Sequence, residues 1–121
     1  MNTAEAHIPQ AAAQIRAALL AERNAEGHWT GELSTSALST ATAVCALATV
    51  AHQTGETRYD SFIQLGLQWL AANANADGGW GDTTRSFSNI STTTLGWAAF
   101  GSVKGADDQY RSTVNAAEKW L

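Results

Sequence analysis

Cys45 and His52 are the residues of this chain whose types best fit a metal site, and they stand seven positions apart on one predicted helix. At a rise of ~1.5 Å per residue they lie about 10 Å apart along the axis, too far to share one ion. His7 and His28 offer no ligand spacing either, so no metal site is expected. Asp107-Asp108 falls at a predicted helix start, where capping and the positive end of the helix dipole account for it. The chain carries no Ser/His/Asp pattern, no phosphate-binding loop and no Cys-Gly-Glu-Gln thioester. These residues point to no catalytic group and no cofactor. Cys45 reads as a small apolar side chain and His52 as a helix-end residue near free carbonyls.

The sequence does carry a matched pair of segments. Glu26-Gly27-His28-Trp29 recurs as Asp77-Gly78-Gly79-Trp80, a shift of 51 residues. The same shift takes Ile8 to Tyr59 and Tyr59 to Tyr110, Leu19 to Leu70 and Leu70 to Leu121, and Trp69 to Trp120. A fixed period of this length implies stacked supersecondary units, none of which buries its apolar face alone. The 121 residues then form a single partial domain with repeats at about 8–58 and 59–109 and a truncated third at about 110–121. Glycine permits the positive φ and close backbone approach of a sharp turn after a helix, and the neighbouring Trp can cover the helix end. Gly27, Trp29, Trp69, Gly78, Gly79 and Trp80 are therefore read as structural, and Asp82 as an acceptor of hydrogen bonds within its loop.

Paired helices must position these loops. A first helix is predicted from about Ile8 to Arg23 with Pro9 in its first turn, burying a stripe of Ile8, Ile15, Leu19 and Leu20. A second runs from about Ser36 to Gln53 and stops at Gly55. Thr57 and Asp60 suggest a cap for a third, to about Asn73, whose main face is Phe62, Leu65, Gly66 and Trp69. Ser88 or Asn89 caps a fourth, to about Val103, and Asp107 a fifth. Alanine is abundant, which favours helix and close helix packing, and no strand-like alternation appears.

Composition narrows the partners. A formal charge of −4 and a pI near 5.1, with no Lys/Arg cluster, argue against nucleic acid. One cysteine excludes an internal disulfide framework and permits the cytosol. Met1 to Gln10 lacks a basic region followed by an apolar run, so no secretory signal is expected. No apolar stretch approaches the roughly 20 residues that span a bilayer.

Trp69-Leu70 followed by Asp77-Gly78-Gly79-Trp80-Gly81-Asp82 resembles the QW motif of class II terpene cyclases such as squalene-hopene cyclases. Similar αα units occur in the wider prenyltransferase/squalene oxidase repeat family. With Gly27-His28-Trp29 and Gly31-Glu32-Leu33, the resemblance spans essentially the entire chain. It implies an all-α fold of αα-hairpin repeats, part of an α/α toroid. The motif's Gln falls on Arg23 in the first unit and on Ala74 in the second, and Ala18 stands where the second unit has Trp69, which implies looser loops.

The resemblance also implies a function, with this chain as the amino-terminal part of a cyclase acting on a polyprenyl or triterpenoid ligand. The Asp-x-Asp-Asp acid of such enzymes is absent from these residues, so the fragment alone is expected to be inactive. If the second helix of each pair lines the ring, Thr40, Thr93, Trp97 and Phe100 are candidate cavity-lining residues; at helical spacing an aromatic is more often simply core, which is the favoured reading of Trp97 and Phe100. The alternative is a non-catalytic repeat module whose open ends bind a partner protein or pair with another copy of the chain. Localisation is expected to be cytoplasmic, with peripheral membrane contact through parts outside this chain. Replacing Trp80 by Ala should destabilise the fold by ~3 kcal/mol or more; an unchanged melting midpoint would show that this Trp plugs nothing.

Overall fold

The computed structural model describes residues 3–31 and 34–121, and among them every regular element is a helix. Glu32 and Leu33, which close the first motif, lie outside the described residues. Two compact units form, Met1–Leu33 and Ser34–Leu121.

The first unit holds α1 (Thr3–Ala21) and the loop after it. The helix begins upstream of the predicted start at Ile8, so Pro9 lies inside it and not in its first turn. Alanines on both sides of the proline favour the helical state, against the ~3 kcal/mol that an interior proline costs. Ile8, Ile15, Leu19 and Leu20 are exposed, contrary to the expected buried stripe. One helix and one loop offer no second surface to cover them.

The second unit contains α2 (Ala37–Thr54), α3 (Asp60–Ala72), α4 (Ile90–Gly101), α5 (Ala106–Gln109) and α6 (Arg111–Trp120). Ser36 caps α2 by accepting the Ser39 N–H, and Gly55, at φ 72°, ends it by donating to Ala51 O. Asn89 caps α4 through the Thr92 N–H. The Thr57/Asp60 side-chain cap does not form: the Thr57 carbonyl accepts the Asp60 N–H at 3.0 Å, and the residue before α3 is Tyr59. Asp107 likewise caps nothing; Gly105 precedes α5, and the predicted fifth helix breaks at Tyr110 into two.

Helix α2 packs against both α3 and α4, and α4 carries α6. Ala37, Ala41, Val44 and Ala48 of α2 meet Ile63, Leu67 and Leu70 of α3 in one core. The expected face of α3 is thus displaced by one residue: Phe62 and Leu65 are 63% and 62% exposed, while Gly66 and Trp69 are half-buried. Both stripes keep spacings of three and four, so the apolar pattern alone does not choose between them. Gly66 shows how close the contact is, because a Cβ there would stand 2.5 Å from Val44 Cγ2.

Helix α4 buries Thr92, Thr93, Gly96, Ala99 and Phe100. Phe100 lies between Trp80 and Tyr110, with ring centroids 6.2 and 5.3 Å away. The Trp80 indole lies over Gly96, where a Cβ would come within 2.8 Å of Trp80 Cε3. Gly96→Ala should therefore lower stability by ~1–3 kcal/mol through overpacking. Gly101→Ala, with open space at its Cβ, should be neutral or slightly stabilising. Equal thermal midpoints for the two variants would refute the close approach.

Candidate functional site

The two glycine–tryptophan loops are the most organised feature of the chain, and they make the same bonds. In the first, Asn24 N–H donates to His28 O at 2.9 Å and Gly27 N–H to Asn24 O at 3.1 Å; in the second, Asn75 N–H donates to Gly79 O at 2.8 Å and Gly78 N–H to Asn75 O at 2.9 Å. Gly27 and Gly78 take φ of 85° and 93°, a region that L side chains rarely adopt. Each turn then sends its Trp back to the helix it left. Trp29 Nε1 donates to Leu19 O at 2.6 Å and Trp80 Nε1 to Leu70 O at 3.0 Å, so each indole satisfies a last-turn carbonyl.

The loops differ in burial. Trp80 is 1% exposed, whereas Trp29 is 48% exposed. The backbone of Trp80 is also fixed, since its N–H donates to Thr93 Oγ1 and its carbonyl accepts the Asn89 N–H, both at 3.0 Å. In the first loop Arg23, at the position of the motif's Gln, donates from Nε to Gly27 O at 2.6 Å and sets its guanidinium 5.9 Å from the Trp29 ring centroid. The expected loosening is countered there by a cation–π contact and a hydrogen bond.

Two carboxylates organise the second loop. Asp82 Oδ1 accepts from Thr92 Oγ1 at 2.6 Å and Asn89 Nδ2 at 2.9 Å, while Asp82 O accepts from Ser36 Oγ at 2.7 Å. This one residue joins the starts of α2 and α4. Asp77 Oδ1 accepts from Ser88 Oγ at 2.7 Å and the Gly79 N–H at 3.1 Å, and its Oδ2 from Trp120 Nε1 at 3.0 Å. Hydrogen bonds from Ser88 first, then Gly79, hold the Asp77 pKa below its ordinary 3.8. Those from Thr92, then Asn89, lower that of Asp82. The sequence reading missed Asn24, Asn75, the bond of Ser88 to Asp77 and the Trp120 contact, Ser88 having been read only as a cap candidate for α4; the signal for the asparagines was present, since they too stand 51 residues apart.

The four candidate lining residues do not share one cavity wall within this unit. Thr93 and Phe100 are fully buried, Thr93 against the Trp80 backbone and Phe100 in the aromatic core. Thr40 is half-buried and donates to Ser36 O at 2.8 Å; Trp97 is partly exposed and donates to Glu118 Oε1 at 3.2 Å. A separate open groove of about 420 Å³ runs past Ala48, His52, Ile63 and Val103 at the ends of α2 and α4. Cys45 is half-buried, His52 lies in the last turn of α2, and Asp108 pairs with Arg111. Among the described residues no cluster could hold a metal ion.

An all-helical unit whose glycine–tryptophan loop plugs a helix end and ties two further helix starts together is a helical scaffold domain. The squalene-hopene cyclase N-terminal domain family matches residues 12–121, and the chain belongs to that family. No curated protein and no solved structure matches it.

Because the folded state lowers the pKa of Asp82, its ionised carboxylate stabilises the fold above the unfolded value, and that contribution is lost as pH falls through the folded value. Asp82→Asn should melt below the parent at pH 7, with the gap closing below about pH 4. A gap that stays constant down to pH 3 would show that charge at Asp82 is not what its donors hold.

Proposed function

We propose that this chain is the amino-terminal part of a squalene-hopene cyclase-like class II terpene cyclase, serving as scaffold for cyclisation of a polyprenyl substrate by alkene protonation. The family match over residues 12–121 carries this reading. The Trp80 plug supports it, because a side chain with 1% exposure and a bond to a helix-end carbonyl suits a part that must hold its shape. The acid lies outside these residues, whose sequence contains no Asp-x-Asp-Asp, so the chain by itself is inactive. Among the described residues no helix is long and apolar enough to cross a membrane; the reading places the protein in the cytoplasm, with peripheral membrane contact through other parts.

A second reading, a non-catalytic helical module that self-associates, is favoured by the exposed apolar residues Ile8, Ile15, Phe62 and Leu65. The two are separated by incubating squalene in detergent micelles with the chain alone and with the product of its native gene, followed by gas chromatography and mass spectrometry. Unchanged squalene from the chain and a cyclised hydrocarbon from the native product are expected. Cyclised product from the chain alone would refute its inactivity, and none from the native product would refute the cyclase reading.

A further inference from the structure

The loop between α3 and α4 contains the one Asp–Gly bond of the sequence, Asp77–Gly78, and no Asn–Gly bond occurs. An aspartyl bond to glycine is the kind that rearranges most readily, because glycine has no side chain to shield its nitrogen. That nitrogen attacks the carboxyl carbon of the Asp side chain: a C–N bond forms, the carboxyl C–OH bond breaks, and water leaves to give a five-membered succinimide. Water then adds to the former main-chain carbonyl and breaks its bond to the nitrogen. The product is isoaspartate, in which the main chain runs through the side-chain carbonyl and the free carboxylate sits on Cα. At the matching position of the first loop, Glu26–Gly27 would need a six-membered ring, which closes far more slowly.

The fold engages every group that this reaction uses. Gly78 N–H donates to Asn75 O at 2.9 Å. Gly78 is buried against the α6 backbone, where a Cβ would stand 2.8 Å from Ala116 O. On the carboxyl, Asp77 Oδ1 accepts from Ser88 Oγ and the Gly79 N–H, and Oδ2 accepts from Trp120 Nε1 of α6. These donors favour the ionised carboxylate, whereas ring closure needs a carboxyl that can lose hydroxide as water. Closure also turns the carboxyl away from its donors and moves a backbone that Ala116 confines. All of these contacts lie within the second unit.

We propose that Asp77–Gly78 is a self-modification site that the docked α6 keeps closed: isoaspartate forms when α6 leaves the loop, and its formation prevents α6 from returning. Release of one helix is a local opening, which costs less than unfolding the whole unit. Once isoaspartate is made, the extra main-chain carbon carries the carboxylate away from Trp120 and lengthens the turn that lays Gly78 on Ala116. The site is independent of whether the native protein is a cyclase.

The test holds the chain at neutral pH, folded and in denaturant, and follows isoaspartate as the loss of endoproteinase Asp-N cleavage at Asp77. Asp60 and Asp82, on the same tryptic fragment 59–85, are internal controls. Isoaspartate should accumulate at Asp77 in denaturant, and about tenfold or more slowly in the folded chain. Trp120→Phe, which removes the donor to Oδ2, should speed the folded reaction by about threefold or more relative to Gly66→Ala. That control strains the α2–α3 contact away from the loop; each variant is held at the same interval below its own melting midpoint, with circular dichroism confirming helix. In the separated isoaspartate form, the α6 amides should exchange hydrogen faster than in the parent. No isoaspartate in denaturant, equal rates in the folded and unfolded chain, or Trp120→Phe no faster than Gly66→Ala would overturn the proposal. So would unchanged protection of α6 in the isoaspartate form.

Discussion

The hydrogen bond from the Trp80 indole to the Leu70 carbonyl is the constraint on which the second unit depends. A helix leaves its last carbonyls without partners, and burying them so costs free energy. Here the chain leaves α3, turns within a few residues at Gly78, and returns a side chain that satisfies the carbonyl and fills the space beside Phe100. Once the indole is in place, the rest is restricted. Gly96 is the residue on α4 that admits it, Thr93 meets its backbone, and Phe100 and Tyr110 continue the aromatic contact toward α5 and α6.

Polar groups then fix what packing leaves free. Hydrophobic contact is non-directional and tolerates small rotations of a helix, whereas Asp82 receives donors from α4 and its cap and offers its carbonyl to the residue capping α2. Threonine hydroxyls are used locally: Thr40, Thr42, Thr49 and Thr54 each bond the carbonyl four residues back, and Thr92 holds Asp82. Among the described residues no buried side-chain polar atom lacks a partner. A domain whose hydroxyls are spent on its own backbone and loops fits membership of the squalene-hopene cyclase N-terminal domain family.

The loops illustrate how one local pattern gives different degrees of burial. Both bend at a glycine of positive φ and both return an indole to a helix end. Trp80 is enclosed because α4 and Phe100 stand against it; Trp29 has Arg23 as its neighbour and keeps half its surface exposed. The bond geometry belongs to the segment, and the burial belongs to what packs on it.

Local chemistry was therefore legible in the sequence. The helical class, the stop at Gly55 and the cap at Asn89 follow from residue type and near neighbours, because they involve bonds spanning three or four residues. Tertiary structure alone decided which of two adjacent stripes of α3 is core, that Phe100 and Thr93 lie inside while Trp97 reaches Glu118, and that Asp77 meets Trp120. Helical periodicity defines the stripes to within one residue, and a rotation of about 100° exchanges them. Only the partner surface breaks that tie: Gly66 lets Val44 approach, and the side of α3 turned toward it becomes the core.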